Sequence, residues 1–255
     1  MEMDWIDEAV RKAVSNFWAV RDGGTGVQGG KTLDSFIEII RQVVQKSGLE
    51  NAEVFTGKYT SELPGFFRPH KSWDAVVISD KKLVAAIELK SQVGSIGNNF
   101  NNRSEEVLGS SIDLKAAIEE SAFGKDAEVF TGYLILVEKS EKTLKTPKIN
   151  MNFFPVMPGF LLNENERNKT YKLQNSGKYP RTDGISYLAR YDELCKRLVR
   201  KDLYTAASII AAPNENHAKG DYEDVSAQTS IETFLLRLSN HCEVIASINN
   251  QRTSN

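Results

Sequence analysis

The chain has 255 residues, 40% of them hydrophobic, with 32 Lys and Arg against 34 Asp and Glu and a net charge of −2. That apolar content suffices for a sizeable core, which excludes a disordered chain, and no segment nears the ~18 apolar residues of a membrane span. Cys195 and Cys242 are too few for a disulfide framework and lack zinc-site spacing, and the amphipathic start is unlike a secretory leader. The expectation is a soluble, cytoplasmic protein.

The near-zero balance argues mildly against nucleic acid, because phosphate binding usually leaves a basic footprint. Its distribution softens the objection. Lys139 to Lys201 holds fourteen Lys and Arg against six Asp and Glu, whereas Asp202 to the end holds three against seven.

Asp4 to Arg21 carries Trp5, Ile6, Ala9, Val10, Ala13, Phe17 and Val20 at helical spacing, and the glycine-rich run from Asp22 to Gly30 ends it. Thr32 is a candidate cap for a second helix with Leu33, Phe36, Ile37, Ile40, Val43 and Val44 on its apolar face, closed by Gly48. Ala52 to Phe55 reads as a short strand, and Leu63 to Pro69 as an irregular approach to the next. Ser72 to Ser79 and Lys82 to Lys90 are apolar runs flanking Asp80-Lys81, a hairpin pattern, and their apolarity on both faces predicts central strands. Asn98 to Arg103 is a polar loop opening a helix over Ser104 to Ser121, with Val107, Leu108, Ile112, Leu114, Ala117 and Ile118 apolar. Phe130 to Glu138 is a third buried strand, Phe153 to Phe160 an extended proline-containing segment, and Asn163 to Gly184 a long basic loop. Ile185 to Val199 is helical, Ala206 to Ala212 a strand, and Ser230 to Ile248 a final helix. The order predicts one α/β domain over 1–255 with a mixed central sheet flanked by helices rather than regular βαβ winding. Its catalytic core is expected at about 29–138, with recognition or dimerisation elements in about 139–255.

Asp74, Glu88 and Lys90 are ionisable residues inside apolar strands, where burying a charge is costly unless it is paired or metal-bound. Residues i and i+2 of a strand share a face, so Glu88 and Lys90 point the same way and Leu89 the other. If the hairpin register brings Asp74 beside them, two carboxylates and an ammonium meet at one edge. Two carboxylates suit a hard cation such as Mg2+, and hydrolysis of a phosphodiester needs such an ion to activate water and stabilise charge on the attacking and leaving oxygens. Lys90 then either orients and deprotonates the water or neutralises the phosphate. The plainer alternative is a surface Glu88–Lys90 pair with Asp74 as a turn residue.

Asp74, thirteen intervening residues and Glu88-Leu89-Lys90 resemble the PD-(D/E)xK nuclease signature, with Trp73 where the usual proline stands. Around it, Leu63 to Pro69, Lys82 to Ser91, Gly97 to Arg103, Thr131 to Glu138 and Ser186 to Tyr191 are similar, in order, to the XhoI-type type II restriction endonucleases. The resemblance spans roughly Gly29 to Lys201. It implies a Mg2+-dependent homodimer acting on double-stranded DNA, cutting the palindrome CTCGAG after the first C to leave a four-base 5′ overhang. It also implies Asp74, Glu88 and Lys90 as catalytic residues, with Leu89 beside Asp74 and Glu88 at the metal. The alternatives are a structure-selective or repair nuclease of the same fold and a catalytically inert DNA-binding protein.

For reading sequence, Asn98, Asn99, Asn101, Asn102 and Arg103 have suitable chemistry, since Asn pairs bidentately with adenine and Arg with guanine in the major groove. A helix cap built by Asn102 and Glu105 is the competing reading. Lys31, Arg68 and Lys71 are candidate phosphate contacts, as is His70. Asp34 and Glu38 share a helical face, read as solvated, and His217 and His241 are read as structural or exposed.

Overall fold

The computed structural model describes residues 4–23, 31–49, 51–163, 172–215 and 217–253. Six helices are described: α1 (Ile6–Asp22), α2 (Asp34–Lys46), α3 (Ile96–Glu119), the single turn α4 (Glu141–Leu144), α5 (Tyr187–Arg200) and α6 (Ile231–Thr253). The strands are β1 (Ala52–Phe55), β2 (Glu62–Pro64), β3 (His70–Ser72), β4 (Ala75–Ser79), β5 (Lys82–Gln92), β6 (Phe130–Glu138), β7 (Lys148–Ile149), β8 (Thr182–Asp183), β9 (Ala206–Ala212) and β10 (Glu223–Asp224).

Six of them form one sheet in the order β1-β4-β5-β6-β9-β10. The β5-β6 and β6-β9 pairs are parallel and the rest antiparallel, so the sheet is mixed and α/β, as the sequence predicts. Both faces are covered, which is why β5, β6 and β9 are apolar nearly throughout. Val10, Phe17 and Trp18 of α1, Ile40 of α2 and Phe234 and Leu238 of α6 pack with Val77, Ile87 and Leu134 on one face. Val107 and Leu114 of α3 and Tyr191 and Leu198 of α5 pack with Val76, Ala86, Tyr133 and Ile209 on the other.

The β4-β5 hairpin closes through Asp80 and Lys81, both at positive φ (48° and 64°), the mirror-image turn that matches strand twist. From Ser79↔Lys82 and Ile78↔Leu83 the register jumps to Val77↔Ala85, leaving Val84 without an opposed residue. The His241 imidazole of α6 meets this bulge, its Nε2 donating to the Val84 carbonyl at 3.1 Å. Beyond the bulge Ala75 faces Ile87, which brings Asp74 opposite Glu88.

Three local expectations change. The run from Asn98 to Arg103 is not a loop before a helix but the first turns of α3, which starts at Ile96. Buried Ile96 and half-buried Phe100, whose ring meets Tyr191 of α5 edge-on at 5.0 Å, anchor those turns and override the turn-forming tendency of Asn. The Asn102–Glu105 capping box is thereby removed, since Ser95 is the N-cap. Leu63 to Pro69 is part of the β2-β3 hairpin and its tip. Leu33, not Thr32, precedes α2, because Lys31–Leu33 forms a 3-10 turn. The glycine run at 24–30 and much of the expected basic loop, at 164–171, lie outside the described residues.

Candidate active site

β5 runs through the middle of the sheet and carries Glu88, Lys90 and Gln92 along the face covered by α3 and α5, while Ile87 and Leu89 join the opposite core. Glu88 is 3% exposed. Its Oε1 receives Lys90 Nζ at 2.9 Å and Lys71 Nζ at 3.4 Å, and its Oε2 receives the Tyr204 hydroxyl at 3.3 Å. A buried carboxylate is tolerated only with such partners. Burial pushes Glu88 up, but the Lys90 and Lys71 ammoniums outweigh it and hold the carboxyl below its ordinary 4.5.

Asp74 stands just before β4. Its Oδ2 accepts the Leu89 backbone N–H at 2.8 Å and lies 3.6 Å from Lys90 Nζ. The Asp74 side chain is 41% exposed, so one end of the cluster opens to solvent. The structure thus brings Asp74, Glu88 and Lys90 together, with Lys90 Nζ between the two carboxylates. Burial lowers Lys90, yet Glu88 and Asp74 together raise it above 10.5 and keep it an ammonium. The two carboxylates share one positive centre, and their oxygen-only donor set is of the kind that suits a hard divalent ion. Leu89 can add only its main-chain carbonyl.

The remaining candidates separate. Lys71, on β3, is not free at the surface. Its side chain is 15% exposed, lies over the Trp73 ring at 4.2 Å and reaches Glu88. Burial pulls it below 10.5 despite the neighbouring carboxylates. Arg68 is engaged by Asp113 of α3, Nε to Oδ2 at 2.6 Å, and Asp113 Oδ1 also accepts the Phe67 N–H at 2.7 Å. Gly65 is needed there, because a Cβ would stand 2.2 Å from Asp113 Oδ2. Arg103 pairs with Glu106 and lies near enough to Lys90 to oppose its protonation. Asn99 and Arg103 line a cleft with Ser91 and Gln92 at the end of β5, whereas Asn101 and Asn102 are exposed. The side chains of Asn98, Lys31 and His217 lie outside the described residues. Glu38 is exposed and beside Arg41 at 3.5 Å. His70 is exposed on β3. Much of the basic stretch is paired within the protein, as in Lys139–Glu223, Lys148–Asp183 and Lys196–Asp192.

Sequence reasoning missed Tyr204, whose signal is no more than an aromatic residue before a buried strand. It also missed that Lys71 turns inward, which only the β2-β3 pairing reveals.

A chain-wide comparison gives this geometry a family. The family model described as Restriction endonuclease XhoI matches residues 19–176 and 160–224. The chain belongs to the XhoI family of restriction endonucleases. Its relatives include the type II restriction enzyme XhoI of Xanthomonas vasicola, 41% identical over 79% of this chain and 78% of that protein. BstVI of Geobacillus stearothermophilus is 33% identical over 87% of this chain and 92% of its own length. AbrI of Azospirillum brasilense is 39% identical over 56% of this chain and 71% of its own. No solved structure matches the chain. Membership in the XhoI family makes it a type II site-specific deoxyribonuclease, a hydrolase of restriction-modification systems. Among the described residues no helix is long and apolar enough to cross a membrane.

Proposed function

We propose that the chain is a Mg2+-dependent, homodimeric restriction endonuclease of the cytoplasm, cutting both strands of the palindrome CTCGAG after the first C. Asp74, Glu88 and Lys90 are its catalytic residues, in a core spanning about 29–138. What carries this reading is the convergence of the Asp74 and Glu88 carboxylates on one ammonium at the end of a central strand. The target follows the family likeness, and a two-fold dimer on a palindrome supplies one active centre per strand.

In this reading Asp74, Glu88 and the Leu89 carbonyl would hold Mg2+. When bound, the ion supplies Lewis acidity toward the phosphate and lowers the pKa of water. Lys90, an ammonium 2.9 Å from Glu88 Oε1, neutralises charge growing on the phosphoryl oxygens. The Leu89 N–H fixes the Asp74 carboxylate, and Tyr204 fixes the second oxygen of Glu88. Asn98, Asn99, Asn101, Asn102 and Arg103 on α3 read base edges, and Lys31 and Arg68 contact phosphates, in keeping with their chemistry.

Incubation with a plasmid carrying one CTCGAG, in Mg2+, tests the reading. One linear product with four-base 5′-TCGA overhangs is expected. Asp74→Ala and Glu88→Ala should abolish cleavage while keeping specific binding in Ca2+. Full activity in either variant removes the site assignment, and discrete cutting elsewhere removes the target alone.

A further inference from the structure

We infer that Lys71 is an internal counter-ion of the cation site, one that holds Glu88 against free divalent cation and yields it when DNA arrives. The inference rests on the assignment of Glu88 as a cation ligand under the proposed function. The signature lends the site one lysine, Lys90, from the same strand as Glu88. The structure adds a second from a different hairpin.

Both oxygens of Glu88 are already engaged. Oε1 carries two ammoniums, at 2.9 Å from Lys90 and 3.4 Å from Lys71, and Oε2 carries the Tyr204 hydroxyl. The four charges Asp74, Glu88, Lys71 and Lys90 sum to zero, so the cluster is neutral without any added ion. A divalent cation entering this cluster meets two positive charges within a few ångströms, and in a partly buried site that repulsion is strong. Lys71 is also held in place. Its ammonium lies over the Trp73 ring at 4.2 Å, and β3 pairs Lys71 with Leu63 of β2.

A DNA phosphate supplies what the cluster lacks, a negative group that can take an ammonium from Glu88. DNA and cation binding are therefore coupled: the duplex raises affinity for the cation by the factor by which the cation raises affinity for the duplex. Lys71 would act as a positioning residue, through Glu88, rather than as a simple grip on the backbone. A grip and a counter-ion make opposite predictions for the DNA-free protein.

The test is divalent-cation binding without DNA. Mn2+ binding is followed by electron paramagnetic resonance, and Mg2+ binding by calorimetry, for wild type, Lys71→Met and Lys71→Arg, with thermal melts to verify folding. Met keeps the length and apolar bulk of the stem and removes the charge; Arg keeps the charge. Lys71→Met should bind cation about tenfold or more tightly. Lys71→Arg should match wild type. Adding a CTCGAG duplex should tighten the wild type strongly and Lys71→Met much less. Lysine 71 read as counter-ion is overturned if Lys71→Met leaves DNA-free cation affinity unchanged or weaker and loses only duplex affinity, the result for a phosphate grip. If Lys71→Met does not fold, Lys71→Gln takes its place under the same criteria. If wild type binds no cation with or without duplex, the cation site itself fails, and this inference with it.

Discussion

Replacing Asp113 with Asn probes how firmly the β2-β3 tip is held on α3, and through it the strand that carries Lys71 and leads to Asp74. The Asp113 carboxylate is buried and makes two short bonds, 2.7 Å from the Phe67 N–H and 2.6 Å from Arg68 Nε. Asn retains one carbonyl oxygen for Phe67 but turns an NH2 group toward the Arg68 guanidinium, so a charge-assisted bond becomes a donor facing a donor. Such bonds contribute about 1.5–3 kcal/mol. Arg68 is 40% exposed and regains water when released, which places the loss near the low end, about 2 kcal/mol. For a chain of this size that lowers Tm by about 4–8 °C, at about 2–4 °C per kcal/mol. Calorimetric melts of the wild type, Asp113→Asn, Arg68→Met and the double variant measure the coupling. The two single variants should cost similar amounts and the double little more. A Tm within about 1 °C of wild type for Asp113→Asn, or full additivity of the pair, would refute the tether.

Tyr204→Phe removes the hydroxyl that donates to Glu88 Oε2 and changes little else. At 3.3 Å the bond is long, so a loss of about 1 kcal/mol is expected, appearing as a kcat about fivefold lower with KM for DNA unchanged; an unaltered kcat would show that Oε2 needs no fixed donor. Acid stability follows from Glu88. Burial raises its pKa, the Lys90 and Lys71 ammoniums more than reverse this, and the folded value lies below 4.5. A lowered carboxyl contributes stability that is fully present above the unfolded pKa and is lost as pH falls through the folded one. The urea midpoint of wild type should therefore exceed that of Glu88→Gln by a constant margin from neutral pH to about pH 5, and the margin should shrink below that. A margin that widens on acidification would contradict the sign.

Much of this architecture is legible in the sequence. β1, β6 and β9 occupy the residues that the sequence predicts, and in β6 and β9 burial on both faces leaves a nearly uninterrupted hydrophobic signature. Glu88 and Lys90 share a face because strand periodicity requires it. The start of α3 was hidden because Asn-rich sequence favours turns, and only the packing of Phe100 on Tyr191 makes it helical. The inward course of Lys71 was hidden because it depends on two three-residue strands among prolines, too short to show periodicity. Tyr204 reaches Glu88 across a sequence separation of 116 residues, which no local pattern encodes.

The surplus residue in the β4-β5 hairpin has a consequence in simple arithmetic. In a two-residue hairpin with an unbroken ladder, every opposed pair is separated by an even number of residues. Asp74 and Glu88 are separated by thirteen, an odd number, and they oppose each other only because Val84 is passed over. With an unbroken ladder Asp74 would oppose Ile87, whose side chain lies on the other side of the sheet. The parity of the spacing between the two acids is thus a readable mark of the bulge. A chain with the same turn and facing acids needs no surplus residue when the count is even, and must carry one when it is odd.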